Sequence, residues 1–189
     1  MLPEMTGIRV HWLLLSCLIA LALGGCGIAD RMGNQVDGSW AGDMLFSQNP
    51  EARVTVTATE TVNPDATGRA LSVVVRTYQL GELDPFMQAS MAQLWGDDAG
   101  VLGAALLSKR EMTLLPGQAR TDSAALSPRA QYLGVAVFFR NPDGGEWRVA
   151  FDAEALRDDG VLWSSDGVML RLDGEHVFVE RGSDLLARQ

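Results

Sequence analysis

The chain has 189 residues, with 24 Asp and Glu against 15 Lys and Arg, a net charge of −9, and two cysteines and two histidines in all. That balance, with no basic cluster anywhere, excludes nucleic acid as a natural partner. One of the cysteines, Cys17, lies in the N-terminal apolar run, so no disulfide framework is available and buried apolar surface has to supply the stability.

The run Trp12 to Leu23 is apolar and uncharged, but about 12 residues reach only about 18 Å as a helix, short of a bilayer core. It reads as the hydrophobic region of a signal peptide. Arg9 and His11 precede it, Leu23-Gly24-Gly25-Cys26 follows, and initiation at Met5 would remove Glu4 and leave a net basic start. A branched residue and two minimal ones before a cysteine form a lipobox. Small residues let a peptidase approach the extended backbone, and the thiol accepts a diacylglyceryl group. Residues 1–25 are therefore expected to be removed. Cys26 then becomes the lipidated N-terminus, with S-diacylglycerol and an N-acyl chain, and 164 residues remain. Several acyl chains anchor securely, at about 0.8 kcal/mol per buried methylene. Lipoproteins kept at the inner membrane of many Gram-negative bacteria carry Asp after that cysteine; Gly27 here points by analogy to the outer membrane.

Residues 26–50 are rich in Gly, Asp and Asn and read as a tether with one apolar island, Trp40 to Phe46. A flexible stretch of about 20 residues has a reach of roughly 25 Å. Residues 51–189 then read as one periplasmic domain. Arg53 to Val62 alternates with period two, as a half-buried strand does. Asn63-Pro64-Asp65-Ala66-Thr67-Gly68-Arg69 is a loop, since Pro64 cannot donate to a ladder and Asn63, Asp65 and Gly68 are turn formers. Ala70 to Leu80 is apolar on both faces and predicts a central strand.

The period changes at Asp84-Pro85, read as an N-cap with proline at the first helical position. Met87, Met91, Leu94 and Trp95 form one stripe, expected to pack on the core, with the helix ending near Gly96 and a second short helix over Asp97 to Leu107. Further strands are expected at Glu111 to Leu115 and Arg120 to Leu126, then a helical turn at Ser127 to Gln131. Tyr132 to Arg140 and Glu146 to Asp152 should pair as a hairpin, and Val168 to Leu172 with Glu175 to Val179 flank Asp173-Gly174, the strongest short hairpin signal. About eight short strands with a small helical insertion after the second predict a mainly β fold, an antiparallel two-sheet β-sandwich.

Little reactive chemistry is on offer. The mature chain retains His176 alone, in a terminal strand, with no Gly-x-Ser-x-Gly elbow, and its one cysteine is acylated, so Cys/His metal sites and nucleophile pairs are excluded by inventory. The neighbouring carboxylates Asp97-Asp98 and Asp158-Asp159 read as solvated surface, and Asn141-Pro142-Asp143-Gly144-Gly145 as a plain turn rather than a calcium loop. No enzyme activity, cofactor, metal or small-molecule substrate is expected. A surface module for glycan or peptidoglycan stays open as an alternative, and a hydrolase would depend wholly on His176.

Val73-Val74-Val75-Arg76-Thr77-Tyr78-Gln79-Leu80, Phe86 and Ala89, Leu114-Leu115-Pro116-Gly117, Tyr132 to Arg140 and Trp147-Arg148, in this order behind a lipobox, resemble the TssJ (SciN/VasD-like) family. These are outer-membrane lipoproteins of type VI secretion systems. The likeness runs from about Arg53 to Phe151 and more loosely through the last hairpin. It implies a transthyretin-like sandwich at the periplasmic face of the outer membrane. It also implies a partner, the periplasmic region of the inner-membrane protein TssM (IcmF-like), and through it TssL. In that family a protruding loop between the first two strands contacts the partner, and the corresponding positions here are Asn63 to Arg69.

Overall fold

The computed structural model describes residues 51–141, 146–158 and 167–187. All belong to one compact unit, Asn49–Gln189. The expected signal peptide, Cys26, the expected tether and residues 142–145 of the expected turn lie outside the described residues.

Among the described residues, the strands form two four-stranded sheets. One has the order β4-β1-β7-β8 and the other β3-β2-β5-β6, where β1 is Glu51–Ala58, β2 Val73–Leu80, β3 Leu106–Leu114, β4 Ala119–Ala125, β5 Tyr132–Phe138, β6 Arg148–Asp152, β7 Val168–Asp173 and β8 His176–Arg181. Both expected hairpins form, β5 with β6 and β7 with β8. One feature departs from the expected antiparallel pattern: β1 and β7 run parallel, with Val54 opposite Val168 and Ala58 opposite Leu172. A parallel pair needs a long connection, and here most of the chain lies between its two strands.

The alternation in β1 and β7 puts Val54, Val56, Leu170 and Leu172 inward against Val75, Leu133, Val135 and Val137 of the other sheet. Each such side chain is worth about 2 kcal/mol on burial. β2 and β5 are apolar on both faces because both are covered. Tyr78, Leu80, Ala136 and Phe138 point away from the sandwich core into a second cluster with Phe86, Leu94 and Leu102 of the helical insertion. At Gly134 any Cβ would come within 3.1 Å of the Phe86 ring and 3.2 Å of Leu80. A side chain there would push the insertion off the sheet.

The insertion consists of α1 (Asp84–Gln88), α2 (Met91–Leu102) and a 3-10 turn, Gly103–Ala105. It differs from the expected single helix to Gly96. Leu83, not Asp84, is the N-cap of α1, which ends at Ala89 in extended geometry, and α2 restarts at Ser90 with a reciprocal capping box to Gln93. The first helical stretch of α2 ends at Gly96 and a second begins beyond the non-helical Asp97, as expected, but it stops at Leu102, where the 3-10 turn and then the strand from Leu106 replace the helix expected to Leu107. The buried stripe is accordingly Phe86, Met91, Leu94 and Leu102, and Trp95 is 53% exposed instead of in the core. The segment Ser127 to Gln131 makes a single turn, with Ala130 N donating to Ser127 O at 3.0 Å. A short helix α3 (Ala153–Asp158), not expected from the sequence, follows β6.

Candidate functional site

After β1 the chain runs along the neighbouring turn before entering the loop. Thr59 N donates to Leu172 O at 2.9 Å, and the Thr59 and Thr61 hydroxyls donate to Asp173 Oδ1 at 3.0 and 2.7 Å. These bonds, with Arg171 beside it, hold the Asp173 carboxyl below the usual carboxylate range. Asn63 follows at φ +50°, the one non-glycine residue with positive φ among the described residues, and is 5% exposed. Asparagine tolerates this left-handed geometry better than most residues.

Its main-chain N–H and both ends of its side-chain amide are engaged. The Asn63 amide donates to Gly174 O at 2.7 Å, its Nδ2 to Ser72 O at 2.7 Å, and its Oδ1 accepts from Arg140 N at 2.6 Å. Read from the sequence as a turn former, Asn63 is a buried fastener joining the loop base, the start of β2, the end of β5 and the β7–β8 turn.

Beyond it the loop closes on itself. Pro64 and Ala70 form an isolated antiparallel bridge. Asp65 Oδ1 accepts from Thr67 N at 2.8 Å, the Thr67 hydroxyl at 2.6 Å and Arg69 N at 3.0 Å, while its Oδ2 meets Arg69 Nε at 3.2 Å. The Thr67 hydroxyl and amide, with the Arg69 amide, hold the Asp65 carboxyl down at about 2. Gly68, at φ +82°, completes the reversal. Ala66, Thr67, Gly68 and Arg69 are exposed on this internally bonded frame.

The loop forms one wall of an open cleft of about 710 Å³, lined also by Arg140 and Asn141 and by Gly174, Glu175 and His176 of the β7–β8 turn. Asp173 pairs with His176, so Gly174 and Glu175 are the two turn residues, with positive φ at Gly174 alone, the pattern of a II′ hairpin. His176 is exposed and stacks on Phe178, with ring centroids 6.1 Å apart. The described lining offers no hydroxyl or thiol nucleophile beside it, and no His, Cys, Asp and Glu cluster able to hold a metal occurs among the described residues.

A second polar constellation lies under the insertion, where solvated carboxylates were expected. Asp97 is exposed and caps Gly100 N, but Asp98 is 5% exposed. Its Oδ2 meets Arg76 Nη1 and the Tyr78 hydroxyl, each at 3.2 Å, and its Oδ1 meets Lys109 Nζ at 2.9 Å. The bonds and charges of Lys109, Tyr78 and Arg76 outweigh desolvation and keep the Asp98 carboxyl below its ordinary range. Arg76 also donates to Leu94 O and pairs with Glu111, and its guanidinium stacks on Trp95 and Phe138. Side chains at odd intervals on β2, α2 and β3 meet only once the insertion folds back, so adjacency in sequence gave the wrong environment for Asp98. Of the Asp158-Asp159 pair, Asp159 lies outside the described residues.

The described domain is thus a helix-bearing β-sandwich that presents a braced loop beside an open polar cleft. The chain belongs to the family described as "Type VI secretion lipoprotein, VasD, EvfM, TssJ, VC_A0113", whose model matches residues 50–175. This is a family of secretion-system lipoproteins rather than of enzymes. Among solved structures, the chain is similar to one described as "Type VI membrane complex", at 26% identity and a TM-score of 0.62, covering 70% of this chain and 98% of that one. A chain of "T6SS protein TssM C-terminal domain (869-1107) from EAEC" matches at 26% identity and a TM-score of 0.58, covering 69% and 98%. The lipoprotein TssJ1 from Pseudomonas aeruginosa shares the fold at 22% identity and a TM-score of 0.56, covering 71% and 99%. No curated protein matches the chain.

Proposed function

We propose that the protein is the outer-membrane anchor of a type VI secretion membrane complex. Acyl chains on Cys26 hold it at the periplasmic face, and the loop Asn63 to Arg69 binds the periplasmic region of a TssM-type (IcmF-like) inner-membrane protein, coupling that protein, and through it TssL, to the outer membrane. The covalent lipid is its only prosthetic chemistry, and the role is mechanical, without catalysis. The observation that carries the reading is the loop itself, exposed at its tip yet fixed by Asp65 within and Asn63 beneath. A preformed loop loses little conformational entropy on binding. Family membership supports it, as do 26%-identical chains in structures described by a type VI membrane complex and a TssM C-terminal domain.

A glycan-binding module would need aromatic rings exposed together on one face. The exposed large aromatic residues among those described are Trp95 and Phe178. Trp95 packs on Phe138 and Arg76 over one sheet, whereas Phe178 lies on β8 of the other, so they build no common platform.

The test separates anchoring from folding. Cys26→Ala should give a folded protein that still binds the partner's periplasmic region in a pull-down but no longer supports secretion. Full secretion by this unacylated form would remove the anchoring role.

A further inference from the structure

The loop is small for the task assigned to it. Specific interfaces use about 20–30 residues a side, while the loop has seven, with Ala66, Thr67 and Gly68 at its tip. More surface has to take part, and the cleft shows where it lies. Its other walls, Arg140-Asn141 and Gly174 to His176, are fixed to the loop by the same residue, since Asn63 bonds both Arg140 N and Gly174 O. The three segments are therefore cross-linked by hydrogen bonds and face the cleft together.

Charge points to what enters. The carboxylates around the cleft are already engaged within the chain: Asp65 by Thr67 and Arg69, Asp173 by Thr59, Thr61 and Arg171, and Glu175 by the Asn141 amide at 3.0 Å. Arg140 is different. It is exposed, its main chain is pinned by Asn63, and its guanidinium takes part in none of the ion pairs among the described residues. An arginine that lines a polar cleft from a pinned main chain suits a carboxylate bidentately, and arginine is among the residues enriched at energetic centres of interfaces.

We propose that the partner-binding surface is the whole cleft rather than the loop alone, with Arg140 receiving a carboxylate of the periplasmic segment that docks there. The proposal rests on the reading above that a TssM-type periplasmic region is the occupant. The experiment measures binding of the unacylated mature chain to that region by calorimetry, for the parent, Arg140→Gln, Arg140→Glu, His176→Ala, Ala66→Trp and Arg129→Glu. Arg129 is an exposed arginine beside Gln131, which bonds Leu80 O at the far end of β2 from Asn63, so its reversal makes the same charge change away from the cleft.

Arg140→Gln should weaken binding about tenfold and Arg140→Glu further, with Arg129→Glu within about twofold of the parent and all variants melting with the parent. Parent-like affinity for Arg140→Glu and His176→Ala, with binding lost in Ala66→Trp, would confine the interface to the loop, overturning this inference and leaving the function intact. Absence of binding by the parent itself would overturn both.

Discussion

Asp65 orders its loop with a single carboxylate, and the order is tied to its ionisation. Its folded value of about 2 lies below the ordinary 3.8. The bonds it accepts thus stabilise the folded loop fully above pH about 4 and are lost as the pH falls through about 2. The Thr67 and Arg69 amide resonances should stay constant from pH 7 to about pH 4 and titrate with a midpoint near 2. A midpoint near 4 would mean that the hydrogen bonds are not formed in solution. This loop was legible from the sequence because its turn is made by local chemistry, in Asn63, Pro64, Asp65 and Gly68. Asn63's second role was not legible, since its acceptor contact comes from Arg140, 77 residues along the chain. Composition supplies the turn former but not its distant partner.

Element by element, the strands followed their alternation and the insertion followed its capping. Period two placed β1, β5, β6, β7 and β8 correctly because one face of each meets the sandwich core. The Ser90-x-x-Gln93 box was written in the sequence and marks where α2 begins, a stronger signal than the apolar stripe that carried Trp95 into the wrong environment. The parallel pairing of β1 with β7 left no local mark, because a strand's own pattern does not record its neighbour's direction. Asp98 adds a polar link to the apolar packing that holds the insertion on its sheet. Asp98→Ala would take one carboxylate partner from the largely buried Arg76, leaving it Glu111 and Leu94 O, and release the exposed Lys109 to solvent; it should cost about 2 kcal/mol, with Tyr78→Phe costing about 1 kcal/mol. Denaturant titration checks both, and a loss below about 0.5 kcal/mol for Asp98→Ala would show the cluster to be incidental.

At the scale of the molecule, β1 connects two ends with different duties. It starts at Glu51, on the side of the chain that leads from Cys26, and continues through Thr59 to Val62 into the loop at Asn63. On the proposed reading, tension between the outer membrane and a partner seated on the loop travels along this one strand. Its eight residues already span about 26 Å, so they have almost no slack. Both ladders beside it, to β4 and β7, are loaded lengthwise and resist sliding together rather than opening one bond at a time. Pulling between residue 26 and Ala66 in a single-molecule experiment should release no more than about 30 Å from the folded domain before the loop straightens, whereas pulling from residue 26 to Asp184 should unravel it. The anchor would then carry load through covalent backbone, and the rest of the sandwich would act as the sleeve that keeps that short cable straight.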